Sequence, residues 1–308
     1  MWRRGSRPGT NSRSSRAGAE RLAGRADLSF LEIEEARRKD AGARREALNE
    51  ADIVILCLPD DAAREAVGMI DTATTRVIDA STAHRTAPGW TYGFPELGFD
   101  VASAMRVSNP GCYPTGFLAL VAPLVRAGLV PADWPFTVNA VSGYSGGGKA
   151  MIEEFESGRA DTAWRSYALS LAHKHVPEMQ THAGLAHAPL FAPSVANAYR
   201  GMVVEVPLIT GAIPGRPSPA ALRETLAAAF EHSTTVALAP EPDPALLTLE
   251  QAALTDRLDL FVFANAQGTQ VRLAAALDNL GKGAAGAAVQ SLNLMAGVAE
   301  TTGLRLHI

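Results

Sequence analysis

Cys112, one of only two cysteines, lies in the stretch Ser108-Asn109-Pro110-Gly111-Cys112-Tyr113-Pro114-Thr115-Gly116. A cysteine reacts as its thiolate, and a thiolate attacks acyl carbons. Asn109-Pro110-Gly111 cannot continue a strand, because proline lacks the ladder donor and glycine permits a tight backbone path. The apolar run over 117–125 reads as a buried helix, with Pro114 tolerated in its first turn. Cys112 then stands at a helix N-terminus, where unpaired N–H groups and the dipole favour the thiolate. The competing reading is a small cysteine that only packs. Spacing alone leaves the two even.

Three further stretches carry chemistry. His173-Lys174-His175-Val176-Pro177-Glu178 sets two of the seven histidines two apart, beside a carboxylate. A histidine here suits proton transfer. H-x-H can also be a metal pair, but no second cluster supplies the remaining ligands, so no metal is expected. Ser142-Gly143-Tyr144-Ser145-Gly146-Gly147-Gly148-Lys149 puts tandem glycines and a lysine ahead of a helix, which presents N–H groups to an anion or forms a hinge. Asn279-Leu280-Gly281-Lys282-Gly283 opens a last apolar helix whose small residues permit close approach of backbone or ligand.

The elements that must position these residues follow from periodicity. A strand is expected over 28–33, a charged helix over 34–49 and a buried strand over 51–59. Asp60 and Asp61 cap a helix over 62–70, and Arg76-Val77-Ile78-Asp79 is a further strand. This alternation predicts a doubly wound parallel sheet, with the strand ends at Leu58-Pro59 and at Ser81-Thr82 facing one crevice. Residues 83–107 read as loop. Strands at 136–141, 202–208, 258–264 and 270–279, with a helix at 219–230 capped by Ser218, predict a mixed or antiparallel sheet in a second, α+β domain.

Composition bounds the class. At 308 residues the chain can hold two domains, and its net charge of −4 argues against a nucleic-acid partner. No stretch reaches the ~18–20 apolar residues of a membrane span. The cysteine placement indicates no disulfide framework, so a cytoplasmic location is expected. Residues 1–26 stand apart, with seven arginines against the single acid Glu20. Such a start is open to reading as a transit peptide, and the plainer expectation is a poorly ordered or non-native tail.

Together these stretches resemble the N-acetyl-γ-glutamyl-phosphate reductases of the shorter type, in the wider semialdehyde dehydrogenase superfamily. The points of similarity are S-N-P-G-C-Y-P-T-G at 108–116, D-A-S-T-A-H-R at 79–85, Y-G-F-P-E-L at 92–97, V-S-G-Y-S-G-G-G-K at 141–149, H-K-H-V-P-E at 173–178 and D-N-L-G-K-G-A-A-G-A-A-V-Q at 278–290. The resemblance implies a Rossmann-like dinucleotide-binding domain over 1–110 and a catalytic, substrate and oligomerisation domain over 111–280. Residues 281–308 would return to the first domain. It further implies NADPH-dependent reduction of N-acetyl-L-glutamyl 5-phosphate, in arginine biosynthesis, by a homodimer or homotetramer. The Cys112 thiolate would form a thioester and expel phosphate.

In this resemblance the acid/base is His173 or, as the alternative, His175, with Glu178 orienting it and Asn109 polarising the acyl oxygen. Arg85, Lys149, His175 and Arg200 are the candidate cations for the anionic substrate. Leu58, Pro59, Ser81, Thr82, Ser142, Gly143, Asn279, Lys282 and Gly283 are the candidate NADP(H) contacts. Aspartate-semialdehyde dehydrogenases and related acyl-phosphate reductases share the thiol chemistry. A scaffold that kept the fold without the chemistry is the non-enzymatic alternative, against which stand Cys112, both histidines and the glycine-rich loops. One departure stands out: the family opens with a strand and a G-x-x-G-x-x-G loop, where this chain has Arg/Ser-rich text. A reading-frame or start-site difference near residues 19–21 would account for it, and weak NADPH binding and low stability are expected from it.

Overall fold

The computed structural model describes residues 13–241 and 244–307, in two compact units. The first takes the described chain up to Pro110 together with Ala284–Leu304, and the second takes Gly111–Gly283 and the chain from Arg305 on.

The first unit starts with α1 (Arg13–Leu22), α2 (Ala41–Glu50), β1 (Ile53–Leu56), α3 (Asp60–Gly68), β2 (Arg76–Asp79), β3 (Thr91–Tyr92) and β4 (Arg106–Ser108). Its strands pair in the order β1-β2-β4-β3, all parallel, with Leu56 opposite Asp79 and Asp79 opposite Ser108. Parallel strands need helices on both faces. Val77 and Ile78 show it, pointing into separate cores, one with Leu56 and Ala66 and the other with Leu22, Val101 and Val107.

Five expectations change here, the first being that residues 83–107, read as loop, contain β3 and the start of β4. Residues 1–12 lie outside the described residues, but 13–22 form a helix whose Ala17 and Leu22 are buried. Residues 28–33 form no strand, because no neighbouring strand offers a ladder among the described residues. Leu28 and Phe30 pack instead on the Leu22 core. The charged helix starts at Ala41, after a short turn at Glu35–Arg37, because Asp40 caps it by accepting the Ala43 N–H at 2.6 Å. Asp60 begins α3 without capping it, and its carboxylate turns to Thr82.

The second unit runs α4 (Cys112–Arg126), β5 (Thr137–Gly143), α5 (Gly148–Glu156), β6 (Trp164–Ser166), α6 (Val176–Ala183), β7 (Leu190–Ala196), β8 (Met202–Leu208), α7 (Pro219–Ala229), β9 (Val236–Leu238), β10 (Leu258–Ala264) and β11 (Val271–Leu277). Its seven-stranded sheet has the order β6-β7-β5-β8-β11-β10-β9 and is mixed: β5–β7 and β9–β10 pair in parallel and the other neighbours antiparallel. α4 packs on β8 and β11 and is buried from Tyr113 through Leu124, which explains its apolar character all round. At Gly116 a Cβ would lie 2.9 Å from Val204, so glycine lets the helix reach the sheet. α8 (Gly286–Met295) belongs to the first unit, where Ala288, Val289, Leu292 and Met295 complete the Leu22 core. Among the described residues no helix is long and apolar enough to cross a membrane.

Candidate active site

Cys112 is the first residue of α4, partly exposed, with Gly111 as its N-cap. Gly111 has no side chain to cap the helix, and a carboxylate from α6 stands near its backbone: Glu178 Oε2 accepts the Gly111 N–H at 3.1 Å. Glu178 is buried, and its Oε1 lies 4.0 Å from Nε2 of His175, the N-cap of α6. One carboxylate thus faces both the start of the cysteine helix and an imidazole. The His175 N–H donates to His173 Nδ1 at 3.2 Å, so a neutral His173 carries its proton on Nε2. The two rings meet edge-on at 4.6 Å, and the Tyr113 ring lies 6.3 Å from His173 and 5.9 Å from His175.

Two phenols line the same region. Tyr167 donates its hydroxyl proton to Tyr113 at 3.0 Å, and Tyr113 donates to the Ser194 carbonyl at 3.2 Å. Burial pushes the Tyr113 phenol well above its ordinary range, with Tyr167 and Cys112 adding to it. Burial likewise raises Tyr167 to about 12, against the Tyr113 hydrogen bond and with the help of the nearby Cys112 charge. A phenol raised on folding contributes stability that is present below its unfolded value, about 10, and is lost as pH rises through about 12. Tyr167→Phe should therefore flatten the fall in melting temperature between pH 10 and 12. Circular-dichroism melts across that window measure it.

The Asn279 segment, expected to contact cofactor, also has an internal part. Asn279 Oδ1 accepts the Gly201 N–H at 3.0 Å and Nδ2 donates to Ser145 Oγ at 2.8 Å, so the buried amide ties two loops together. Lys282 is buried and its ammonium donates to Thr235 Oγ1 at 3.1 Å, directed into the second unit's interior. Ser142 donates to the Gly143 carbonyl at 2.8 Å. Gly143 is glycine because a Cβ would stand 2.7 Å from the Arg200 backbone. Gly283 abuts the nucleophile, with a Cβ there only 2.8 Å from Cys112 Cβ and 3.1 Å from the Asp278 carbonyl. Gly283→Ala should displace the thiol and lower kcat by about 100-fold with substrate KM little changed, as steady-state kinetics would show.

The candidate cations differ in how they are held. Lys149 is exposed, the second residue of α5. Arg200 pairs with the buried Asp278 at 3.4 Å, and its Nε has no hydrogen-bond partner among the described residues. Arg85, in the first unit, is buried and donates from Nε to the Asn109 carbonyl at 2.9 Å. Asn109 is correspondingly fixed: its N–H donates to the Asp79 carbonyl at 2.8 Å and its Nδ2 to the Ala284 carbonyl at 3.1 Å. One of the two Nδ2 hydrogens is thereby used, and the second remains for the acyl oxygen.

The first unit's strand ends are pinned in the same manner. Leu58 is exposed and Pro59 precedes α3. Thr82 donates from its N–H (2.9 Å) and Oγ1 (2.6 Å) to Asp60, while Ser81 donates from N–H (2.9 Å) and Oγ (2.8 Å) to Asp79. The sequence singles out no role for His84, Tyr113 or Tyr167, and gives Asp60 and Asp79 only as a helix cap and strand ends at the crevice. Asp79 and His84 stand inside the quoted D-A-S-T-A-H-R motif, so their signal was present. Tyr167 lies in a loop with no periodicity to single it out.

Two family models match the chain: "Semialdehyde dehydrogenase, NAD binding domain" over residues 11–105 and "Semialdehyde dehydrogenase, dimerisation domain" over 112–279. The chain is 52% identical over 290 residues to the N-acetyl-gamma-glutamyl-phosphate reductase of Burkholderia ambifaria, covering 91% of this chain and 92% of that one. It is 46% identical over 301 residues to N-acetyl-gamma-glutamyl-phosphate reductase 2 of a Nostoc species, covering 92% and 94%. The fold is also similar to aspartate semialdehyde dehydrogenase II from Vibrio cholerae, with a TM-score of 0.60 at 17% identity over 80% of each chain. The corresponding Francisella tularensis enzyme gives 0.61 at 14%, over 82% of this chain and 83% of that one.

Proposed function

The chain belongs to the N-acetyl-γ-glutamyl-phosphate reductases of the semialdehyde dehydrogenase family, and on that premise we propose that it reduces N-acetyl-L-glutamyl 5-phosphate to the semialdehyde through a thioester on Cys112, within arginine biosynthesis. The observation that carries this is the Glu178 carboxylate, which faces both the Gly111 N–H at the start of the cysteine helix and His175.

The Cys112 sulfur attacks the acyl carbon, the C–O bond to phosphate breaks, and phosphate leaves with the electron pair. The positive end of the α4 dipole stabilises the developing oxyanion. NADPH, which Leu58, Pro59, Ser81 and Thr82 would hold, would supply the hydride for the thioester carbon. The C–S bond of the resulting thiohemiacetal then breaks, releasing aldehyde and returning the thiolate. His175 holds the proton that passes to the oxygen and takes it back on collapse, since Glu178 orients it, whereas His173 uses Nδ1 to fix the backbone of that turn. Lys149 and Arg200 are the substrate cations in this scheme, and Arg85 acts through the Asn109 corner.

The first unit fits a dinucleotide: its parallel strands end in register at Leu56, Asp79 and Ser108. The turns that follow β1 and β2 are held rigid by Asp60 and Asp79. Leu58, Pro59, Ser81 and Thr82 are the residues that would hold it. The chain oligomerises through its dimerisation domain, as a homodimer or homotetramer joined at the second unit's sheet. The function is tested by running the reaction in reverse, with NADP, phosphate and either N-acetylglutamate semialdehyde or aspartate semialdehyde. The acetylated substrate should be favoured in kcat/KM by about 100-fold or more. Equal rates, or preference for aspartate semialdehyde, would remove the substrate assignment.

A further inference from the structure

The turn after β2 contains a cluster that the reaction scheme leaves unused. Asp79 is fully buried, so its carboxylate needs donors around it. Ser81 supplies two from within the turn, and His84 supplies a third from beyond it, with Nδ1 2.6 Å from Asp79 Oδ2. An ionised Asp79 requires the proton on His84 Nδ1. The His84 ring lies flat on Trp90, with centroids 4.1 Å apart and planes 11° from parallel. The same turn has two anchors elsewhere in the first unit. Thr82 is held by Asp60 at the start of α3, and the Asp79 carbonyl accepts the Asn109 N–H. Arg85, the next residue along, holds the other side of Asn109.

We propose that His84 is a positioning residue for the cofactor: its Nδ1–H on buried Asp79, with the ring seated on Trp90, fixes the Ser81–Thr82 crest against which the dinucleotide lies. This rests on the proposed nicotinamide site at that crest. The donor is the operative part, because it alone ties the carboxylate to the far end of the turn, and the stack serves to aim it.

Three variants separate donor from stack. His84→Phe keeps a ring on Trp90 and removes the donor. His84→Asn restores an N–H near the Nδ1 position and removes the ring. Trp90→Leu removes the stack and leaves the donor. Two quantities are read in each: amide exchange of Ser81 and Thr82 without cofactor, and NADPH affinity by fluorescence titration. In His84→Phe exchange should quicken and the Kd rise about tenfold, whereas His84→Asn and Trp90→Leu should stay within about twofold of the parent. Crest exchange in His84→Phe equal to the parent's overturns the part given to His84, whatever NADPH does. So does an equal loss of affinity in all three variants in step with their melting temperatures, or a loss confined to the variants without the stack. Faster crest exchange in His84→Phe with no change in NADPH affinity would instead remove the crest as the cofactor site.

Discussion

Cys112→Ser should lower turnover by about a thousandfold or more and leave NADPH affinity unchanged. Serine differs by one atom and fits the first position of α4 without new contacts, so the fold and the strand-end crest of the first unit are untouched. What changes is the nucleophile. An alcohol is far harder to ionise than a thiol, and without the anion the acyl phosphate is not opened. Loss of one member of a covalent catalytic set removes most of the acceleration at once. Stopped-flow reduction with the variant at saturating NADPH, beside a fluorescence titration of the same sample, gives both numbers. Turnover within tenfold of the parent would remove the thioester route.

The second large effect separates the two histidines. His175→Asn should lower kcat by about 10²–10⁴-fold, the range for a positioned acid/base. His173→Asn should cost about tenfold at most, because an asparagine oxygen takes over the one backbone N–H that Nδ1 accepts and only the ring contacts with Tyr113, Tyr167 and His175 are lost. The assignment depends on Glu178, which stands 4.0 Å from His175 Nε2 while holding the Gly111 N–H. Glu178→Gln should keep the Gly111 hydrogen bond and hence most of the stability, yet lose the charge that supports the imidazolium. Its kcat should fall between those of the two histidine variants. Single-turnover rates measured at one pH order the three. A larger loss in His173→Asn than in His175→Asn would reverse the roles.

How much of this was legible depended on whether a residue's part was local. The strand at Arg76–Asp79 and the helix that starts at Cys112 follow from short-range patterns and stand where periodicity and turn chemistry put them. Residues 28–33 are apolar-rich and strand-like, but a strand exists only when something pairs with it. β3 and β4, two and three residues long, lie inside a stretch that reads as loop because so few residues carry no period. The polar residues were harder still. Asn279 and Lys282 look in sequence like ligand-binding groups, and in the fold they satisfy Gly201, Ser145 and Thr235. Asn109, read as polarising the acyl oxygen, and Arg85, read as a substrate cation, are also joined to each other. A polar side chain that completes its own interior has the same spelling as one that waits for a ligand. Only the contacts across the chain, such as that from Glu178 to Gly111, tell them apart.

The thioester itself can be seen. Mixing the protein with N-acetyl-L-glutamyl 5-phosphate in the absence of NADPH, then quenching in acid for intact mass and peptide mapping, isolates the first half of the reaction. The account predicts one phosphate released per active subunit in a rapid burst and an N-acetylglutamyl adduct on the Cys112 peptide that disappears when NADPH is added. Phosphate release that waits for NADPH, with Cys112 unmodified, would contradict it.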